Sequence, residues 1–422
     1  MITEPLDGND RLFNPARIPV SDEASDLVSE VILEVERYEA DHGMRKRVRK
    51  ARDQDRFVST VTALTCDAIH REVTGPGMWL AVPLSKSKLG SNSDVPHILN
   101  EVFPDIVKRL AAEELGLLEL RLGHKAQLGG RLSTVRAGPR LRSRIESLSL
   151  DDLTCDPSLM GDPIVLRGTK FAGKAKTLSY DDTDQTRRYR QDMQRINAWL
   201  AKADITCLDA TLDDKIIDTG NRFLKRVFNK ACFNLGGRLY GGFWQSSMTA
   251  SARLQAIRID GRPVTSLDFG QTAVRLAYGE IGAALPPGDQ YAIAGYPRAG
   301  IKKILVALLS ADTPLTRFPS GTRSLFRKGT KFVDVVDSIR RRHEPIAPLF
   351  GSGFGRRAQF ADSELMIDIL LQLIDREVVA LPVHDSVIVA DDDEDIAREV
   401  MMTCFRSRVG VDAEVMVEHA NR

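Results

Sequence analysis

The stretch VTSLDFGQTAVRLAYGEIG, at residues 264–282, decides the fold of the second half of the chain. Residues 264–267 predict a short strand that ends at Asp268, and Gly270 then lets the chain turn. The following residues, 271–281, have the apolar spacing of a helix. A carboxylate at the end of a strand is held rigidly by the sheet and is well placed to bind a metal ion. The alternative is an ordinary turn-forming Asp, since strand ends often carry one.

A second stretch, VVALPVHDSVIVADDDED at residues 378–395, carries another candidate acid. Two apolar, β-branched runs flank His384, Asp385 and Ser386, which predicts a strand, a tight turn and a second strand. Asp385 then lies between two buried strands, where a charge is costly unless it is paired or bound to a metal ion. The alternative is a solvated hairpin tip. The acidic run at 391–395 predicts the start of a helix, where the helix dipole favours negative charge.

A third stretch, DQYAIAGYPRAGIKKILVALLSA at residues 289–311, predicts a helix that begins near Pro297. Arg298 and Lys302 are four residues apart, so both cations lie on one face of that helix. Two cations on one helical face can hold a triphosphate and neutralise the charge of its leaving pyrophosphate. A surface helix with two basic residues is the alternative.

Taken together, these stretches resemble the family A DNA polymerases and their relatives, the single-subunit phage and mitochondrial RNA polymerases. DFGQTAVRLAY, at residues 268–278, is similar to the family's first palm motif, D-Y-S-Q-I-E-L-R-x-L-A, and agrees at Asp268, Phe269 (as an aromatic), Gln271 and Arg275. VHDSVIV, at 383–389, resembles the last palm motif, which is V-H-D-E in the DNA enzymes and H-D-S in the RNA enzymes. The helix with Arg298 and Lys302 resembles the fingers helix that binds the incoming nucleotide.

Two further matches extend this resemblance. GGRLYGGFWQ, at residues 236–245, is followed by Arg253 and Arg258 and resembles the T-G-R-L…N-L-Q-N-I stretch upstream of the first motif. Gln359 and the predicted helix at 362–374 resemble the helix that leads into the last motif. The resemblance covers about residues 220–422, with the motifs in the family's order.

The resemblance implies a right-hand polymerase of the α/β (α+β) class, with an antiparallel palm sheet and helical fingers. Asp268 and Asp385 would be the catalytic residues and would bind two Mg²⁺ ions about 4 Å apart. The residues implied to bind the nucleotide are Arg298, Lys302, Gln271 and Ala273. Those implied to bind nucleic acid are Arg238 (in the minor groove of the primer–template), Gln245, Arg275, Gln359 and His384.

The function that the resemblance implies is extension of a DNA primer on a template, with nucleoside triphosphates as substrates. Such a compact enzyme would serve a phage or mobile element, with replication accessory proteins as further candidate partners. No D-x-E signature of a proofreading exonuclease precedes the palm, so no exonuclease domain is expected.

Several positions depart from the family pattern. Ala273 replaces the Glu that excludes the ribose 2′-hydroxyl in the DNA enzymes, and Ser386 replaces the Glu after the last-motif Asp. Ser310 and Val306 stand where the family has aromatic residues, which bears on base-pair fidelity. The sequence therefore does not decide between dNTPs and rNTPs. A primase or RNA polymerase that accepts rNTPs is one alternative, and a catalytically inactive DNA-binding replication or regulatory factor is another.

The first half of the chain predicts accessory parts. Residues 1–54 form an expected N-terminal extension, with an amphipathic helix at 26–40 and a basic run at 44–56 that could grip phosphates or face solvent. Residues 55–150 predict two helices, at 57–72 and 98–115, and then a hairpin with Gly129 and Gly130 near its bend. We therefore expect a winged-helix-like accessory domain, although any small α+β domain has the same pattern.

Two regions complete the predicted domain organisation. Residues 151–220 predict a helical linker or thumb-like region, with a long helix at 181–203 that has apolar contacts at helical spacing. Residues 221–422 are the expected palm and fingers.

The composition is that of a soluble globular protein, with 43% hydrophobic and 28% charged residues. The longest apolar runs, such as 304–309, fall far short of the ~20 residues of a membrane span. The acidic N-terminus does not have the pattern of a signal peptide, so we expect a cytoplasmic protein with no membrane partner. The five cysteines are scattered without a CxxC pair, which argues against a disulfide framework and a zinc site.

The net charge of +1 conceals an asymmetry. Residues 296–357 contain 13 Lys and Arg against four Asp and Glu, a net charge of +9. Residues 361–422 contain five Lys and Arg against 15 Asp and Glu, a net charge of −10. Adjacent basic and acidic regions could hold polyanions and cations side by side, and the alternative is a solvated surface of both signs.

Overall fold

The computed structural model describes residues 10–45, 47–85, 89, 94–124, 130–169, 175–208, 211–212, 215–246 and 248–420. The helices are α1 (Asp22–Asp41), α2 (Ala51–Thr74), α3 (Phe103–Leu110), α4 (Pro139–Arg142), α5 (Asp184–Lys202), α6 (Phe243–Ser246), α7 (Ala250–Ala256), α8 (Thr272–Ile281), α9 (Arg298–Ser310), α10 (Phe332–Arg342), α11 (Phe354–Ile374) and α12 (Glu394–Val409). The strands are β1 (Arg11–Leu12), β2 (Arg17–Pro19), β3 (Leu80–Val82), β4 (Leu118–Arg121), β5 (Ser133–Ala137), β6 (Leu153–Cys155), β7 (Ile164–Arg167), β8 (Thr177–Leu178), β9 (Ile205–Cys207), β10 (Thr211–Leu212), β11 (Lys215–Ile216), β12 (Leu224–Asn229), β13 (Cys232–Gly241), β14 (Ile257–Ile259), β15 (Val264–Phe269), β16 (Leu381–Val383), β17 (Ser386–Ala390) and β18 (Val415–His419). Within these described ranges, no helix combines the length and the apolar composition that a bilayer span requires.

The two candidate acids belong to a four-stranded antiparallel sheet with the strand order β16-β17-β15-β18. β15 pairs with β17 on one side and with β18 on the other, so that Asp268 lies opposite both Ser386 and Met416. Buried and half-buried residues alternate along β15, which places Leu267 and Phe269 on the core face and Asp268 on the other. The predicted antiparallel sheet is therefore present.

A large core fixes this sheet from behind. Phe269 packs against Phe405 of α12, with ring centroids 5.0 Å apart. The same core includes α11, α5 and a second sheet with the order β13-β12-β7-β8. Met193, Ile196 and Leu200 of α5 are buried in it, as their helical spacing predicts. We call this assembly the sheet core.

Helices α8, α9 and α10 build a separate hydrophobic cluster, which we call the helical core. Tyr278 of α8, Ile304 of α9 and Ile339 of α10 are buried in it. α9 starts at Arg298, directly after Pro297, as the sequence predicts. The proline is tolerated there because a helix needs no backbone N–H donor at its first residues. The helical core therefore holds the two candidate phosphate-binding cations.

A third core lies in the N-terminal part of the chain. It contains α1, α2 and α3 together with a sheet of the order β1-β3-β5-β4. β4 and β5 pair antiparallel, as the predicted hairpin requires, and the bend at 125–129 lies outside the described residues. Val31 and Val35 of α1 are part of this core, so the predicted extension packs with the predicted accessory domain. The winged-helix interpretation stays a prediction.

A buried cluster of ion pairs joins the N-terminal core to the remainder of the chain. Arg17 donates from Nε to Asp67 at 2.9 Å and from Nη2 to Asp218 at 2.6 Å. Arg11 also pairs with Asp67, at 2.8 Å, and all four side chains are buried. Burial by itself would raise the pKa of Asp218, but Arg17 and Arg11 hold that pKa below its ordinary value. The cluster therefore fixes α2, which carries Asp67, against the segment that leads into β12.

Most predicted helices occur near their predicted positions, but one is much shorter. The helix predicted at 98–115 spans only Phe103–Leu110, with Pro104 in its first turn. Proline disfavours helical backbone in the residue before it, so the helix begins where Pro104 can occupy that turn. The helix predicted at 362–374 is longer and starts at Phe354, directly after Gly353 with its left-handed φ of 72°.

Candidate active site

The pairing of β15 with β17 brings the two candidate acids close together. Asp268 lies opposite Ser386, and Asp385 precedes Ser386 in the two-residue turn between β16 and β17. Opposite Cα atoms of antiparallel strands are about 4.5–5.5 Å apart and consecutive ones about 3.8 Å, so the two Asp Cα atoms lie within about 9 Å of each other. Two acids that are distant in sequence therefore meet at one end of the sheet.

The carboxyl of Asp268 is half-buried and incompletely hydrogen-bonded. Its Oδ1 is buried and has no hydrogen-bond partner among the described residues. Burial, and then the negative charge of Asp385, raise the pKa of Asp268 to about 6, against the opposite effects of the Phe269 N–H and the Lys302 ammonium. A bound cation would relieve both the burial cost and the repulsion between the two acids.

The turn that carries Asp385 is anchored by two side chains of α6. Trp244 Nε1 donates to the carbonyl oxygen of Pro382 at 3.0 Å, and Gln245 Nε2 donates to the same oxygen at 2.8 Å. His384 adopts a left-handed φ of 59°, which suits a two-residue turn between antiparallel strands. Gln245 thus holds the strand before Asp385, and its contact with nucleic acid stays a prediction from the resemblance.

A third acid, Asp362 of α11, lies beside this pair. Arg238 of β13 donates from Nη2 to Asp362 Oδ2 at 3.1 Å. Burial first, and then the charge of Asp385, raise the pKa of Asp362 to about 7, although Arg238 acts in the opposite direction. Asp362 was not predicted as a site residue from the sequence. The sequence carries no clear signal for it, because the burial of its neighbours, 363–367, is visible only in the structure.

A glycine lets α11 approach β13 closely enough for this contact. Gly237 has a positive φ of 76°, and a Cβ there would lie 2.8 Å from Ser363 Oγ. Buried Arg226 donates to Gly237 O at 3.1 Å and to Ser363 Oγ at 2.9 Å. Arg238 follows Gly237 and Asp362 precedes Ser363 in the sequence. The two side chains are therefore held at a fixed separation.

A small cavity opens on the Asp268 face of the sheet. Its volume is about 140 Å³, and polar residues in its wall include Ser266, Asp268, Ser386, Arg253 and Glu418. The negative charge of Glu418 contributes to the raised pKa of Asp268. Glu418 was also not predicted as a site residue, because the sequence of β18 has only the alternation of an ordinary strand.

The cations of α9 approach the acids from the helical core. Lys302 is exposed, and its ammonium acts to lower the pKa of Asp268. Arg298 forms an ion pair with Asp289. Both cations lie near the ring of Tyr291, with Arg298 Cζ at 5.4 Å and Lys302 Nζ at 5.9 Å from the ring centroid. They share one face of α9, as predicted, and Lys302 is the one that interacts with the acids.

Two residues of the first motif have structural partners. Gln271 accepts from the N–H of Gln290 at 2.7 Å and donates to Glu414 at 3.0 Å. Arg275 is buried, and it donates to Gly270 O at 3.0 Å and to Glu414 at 3.2 Å. These bonds tie the turn after β15 to the segment before β18. The nucleotide and nucleic-acid roles of Gln271 and Arg275 stay predictions.

The remaining predicted site residues lie around the same region. Ala273 is half-buried in the first turn of α8. Gln359 is exposed on α11, three residues before Asp362. The ring of His384 lies beside that of Tyr240, and partial desolvation of the imidazole, followed by the charge of Arg238, lowers its pKa. A neutral imidazole can donate and accept hydrogen bonds at neutral pH.

The acids fit Mg²⁺ when the substrate completes the coordination. In the part of the chain that the structure describes, no group of three or more His, Cys, Asp or Glu side chains forms a metal-binding cluster. Mg²⁺ is commonly bound by one or two carboxylates together with substrate phosphates and water. The partnerless oxygen of Asp268 and the neighbouring Asp385 supply such a pair of carboxylates.

Comparisons with known proteins include a distant structural similarity. No protein-family model matches the chain, and no curated protein matches it. Among solved structures, the chain is similar to the POL domain of Pol1 from M. smegmatis in complex with DNA primer-template and dNTP. The identity is 13% and the TM-score is 0.26, a value too low to add to the geometry described above. The match covers 95% of this chain, which spans 66% of the length of that one.

Proposed function

We propose that this chain is a template-directed nucleotidyltransferase that extends a nucleic-acid primer, with DNA synthesis of the family A kind as its main reaction. The observation that carries the proposal is the meeting of Asp268 and Asp385 at the end of paired strands, where burial and then the charge of Asp385 raise the pKa of Asp268. Two half-buried acids that lie close together repel each other unless a cation binds between them. Paired carboxylates that bind metal ions are the arrangement that two-metal-ion phosphoryl transfer uses.

Each side chain has a definable part in this reaction. Asp268 and Asp385 would hold two Mg²⁺ ions, which when bound activate a primer hydroxyl and stabilise the leaving oxygen. Lys302 supplies positive charge opposite the acids, where a triphosphate would lie. Arg298 would exchange Asp289 for a phosphate oxygen.

The opposite wall of the site suits the primer. Asp362 holds Arg238 with its guanidinium near the acids, where it can donate to the primer–template minor groove. His384, with its lowered pKa, would hydrogen-bond to the primer backbone as a neutral ring. Ala273 has no side-chain atom beyond Cβ that could exclude a ribose 2′-hydroxyl. The preference for dNTPs or rNTPs is therefore left to the extension assay.

The test is extension of a labelled primer on a template with Mg²⁺, with dNTPs and rNTPs in parallel. Asp268→Asn and Asp385→Asn should each lower the extension rate by about 10³-fold or more, because each removes a metal-binding charge. Asp260→Asn, at an exposed turn, is the matched control and should extend at the wild-type rate. Normal extension by both site variants would remove the catalytic assignment.

The same assay separates the alternatives. Incorporation of rNTPs alone would identify a primase or RNA polymerase instead of a DNA polymerase. A wild-type protein that binds primer–template but incorporates neither nucleotide would be a DNA-binding factor. In that outcome Mg²⁺ should have no effect on thermal stability, whereas the enzyme should be stabilised by Mg²⁺ through Asp268 and Asp385.

A further inference from the structure

One region of the helical core carries unpaired positive charge. Residues 299–342, all of which the structure describes, contain ten Lys and Arg, and none of them makes an ion pair with a described carboxylate. The arginines on either side, Arg298 and Arg356, are paired with Asp289 and Asp312. Half of the ten lie at residues 312–331, which we call the basic loop: Arg317, Arg323, Arg327, Lys328 and Lys331. All five are exposed.

The basic loop is held in place by aromatic packing. Phe326 is only 6% exposed and packs near Phe318 and Tyr296, with centroids 5.2 Å and 6.2 Å away. Phe318 in turn packs 5.2 Å from Phe332, the first residue of α10. Four aromatic rings thus attach the loop to the segments on both sides of it. Its exposed cations therefore project from a structured backbone.

The same packing attaches the loop to α9, the helix that carries the two candidate phosphate-binding cations. A Cβ on Gly300 would lie 2.5 Å from the ring of Phe326, so this ring fits directly against the buried face of α9, on the side away from Arg298 and Lys302. Arg323, Arg327 and Lys328 neighbour Phe326 in sequence. Arg323 donates to Phe326 O at 3.3 Å and to Arg327 O at 3.2 Å, which fixes the turn that presents them. The basic loop is therefore attached to the helix that carries Arg298 and Lys302.

We propose that the basic loop binds the phosphate backbone of the nucleic acid that enters the active site. The proposal rests on the proposed function for the identity of the polyanion. Several unpaired cations on one loop favour a ligand with many negative charges, and counterion release provides the binding free energy. An anionic membrane is less suited, since Val333, at 57%, is the one large exposed apolar side chain among residues 312–342.

The test compares two variants of the full chain that lose the same charge. The loop variant carries Arg317→Gln, Arg327→Gln, Lys328→Gln and Lys331→Gln, and it leaves Arg323, which holds the turn, unchanged. The control carries Arg37→Gln, Lys108→Gln, Lys202→Gln and Arg376→Gln, all at exposed positions outside the helical core. Fluorescence anisotropy with a single-stranded oligonucleotide and with a duplex at several salt concentrations measures the affinity.

Binding of a single strand should depend less steeply on salt in the loop variant. Loss of four phosphate contacts should lower the magnitude of the slope of log K, the binding constant, against log salt by about 3. Between 50 and 200 mM salt, the affinity of the wild type should therefore fall by about 50-fold more than that of the loop variant. The control variant should keep the wild-type slope. A larger effect on the duplex than on the single strand would identify the duplex as the form bound.

The outcomes separate this proposal from the proposed function. Equal slopes for the wild type and the loop variant, with unchanged circular dichroism, would refute the role of the basic loop even if primer extension is normal. Loss of salt-sensitive binding in a chain that extends no primer would support the loop and refute the polymerase. Binding to vesicles with 25% phosphatidylserine that the loop variant alone loses, without a change for the oligonucleotides, would overturn the nucleic-acid assignment.

Discussion

Replacing Asp362 with Asn should make the protein more stable at pH 8 and leave its stability nearly unchanged near pH 4. The carboxyl of Asp362 is 4% exposed, and burial, followed by the charge of Asp385, raises its pKa from 3.8 to about 7. Between these two values the folded chain binds a proton that the unfolded chain has lost. The free energy of unfolding of the wild type therefore falls as pH rises through this window.

The size of the effect follows from the two pKa values. One pKa unit corresponds to about 1.4 kcal/mol, so a difference of about three units gives the wild type a loss of about 4 kcal/mol by pH 8. This is an upper bound, because water and side-chain movement relieve part of the repulsion. Asn cannot ionise and keeps an oxygen that can accept a hydrogen bond from Arg238. The free energy of unfolding of the variant should therefore not fall as pH rises.

Urea unfolding of the full chain at pH 4.5, 6 and 8 with EDTA measures this difference. The gain of Asp362→Asn over the wild type should grow with pH, from below about 1 kcal/mol at pH 4.5 towards the upper bound at pH 8. Asp375→Asn, an exposed site at the end of the same helix, should show no such growth. A variant that is equally or less stable than the wild type at pH 8 would refute the reasoning.

Two further predictions concern Lys302 and the buried ion pairs. Lys302→Gln should raise the KM for the incoming nucleotide by about 10- to 100-fold in steady-state extension, because a charged hydrogen bond is worth about 1.5–3 kcal/mol. Lys303→Gln, at the exposed neighbouring position, should leave this KM unchanged. Equal effects of the two substitutions would contradict the role of Lys302. Asp218→Asn should lower the free energy of unfolding by about 3–5 kcal/mol, because it leaves the buried guanidinium of Arg17 without the negative charge of its partner. A loss below about 1 kcal/mol in urea unfolding would contradict this expectation.

The local parts of the site followed from the sequence because they depend on short-range patterns. The short run before Asp268 and the β-branched runs around Asp385 predict strands and a turn, and a sheet with one buried face then fixes their register. The spacing of Arg298 and Lys302 fixes their common face in the same way. These are properties of neighbouring residues, so a single sequence contains them.

The contacts between distant elements did not follow from the sequence. Asp362 meets Arg238 only because Gly237 allows α11 to approach β13, a contact across more than a hundred residues. The parallel pairing of β1 with β3 and the four-residue ion cluster depend equally on tertiary packing. Charge patterns give no sign of such partners, because a buried Asp and a solvated one look the same in a sequence.

The candidate site is divided between two cores, and this division has a mechanical consequence. Asp268 and Asp385 are carried by strands packed in the sheet core, whereas Lys302 is carried by the helical core. α11 contributes to both, with Ala358 in the helical core and Leu365 in the sheet core. A rotation of one core about this shared helix would change the distance from Lys302 to Asp268 while the distance between the two acids stays constant. Such a rotation would change the position of the positive charge relative to the substrate without altering the geometry of the two acids.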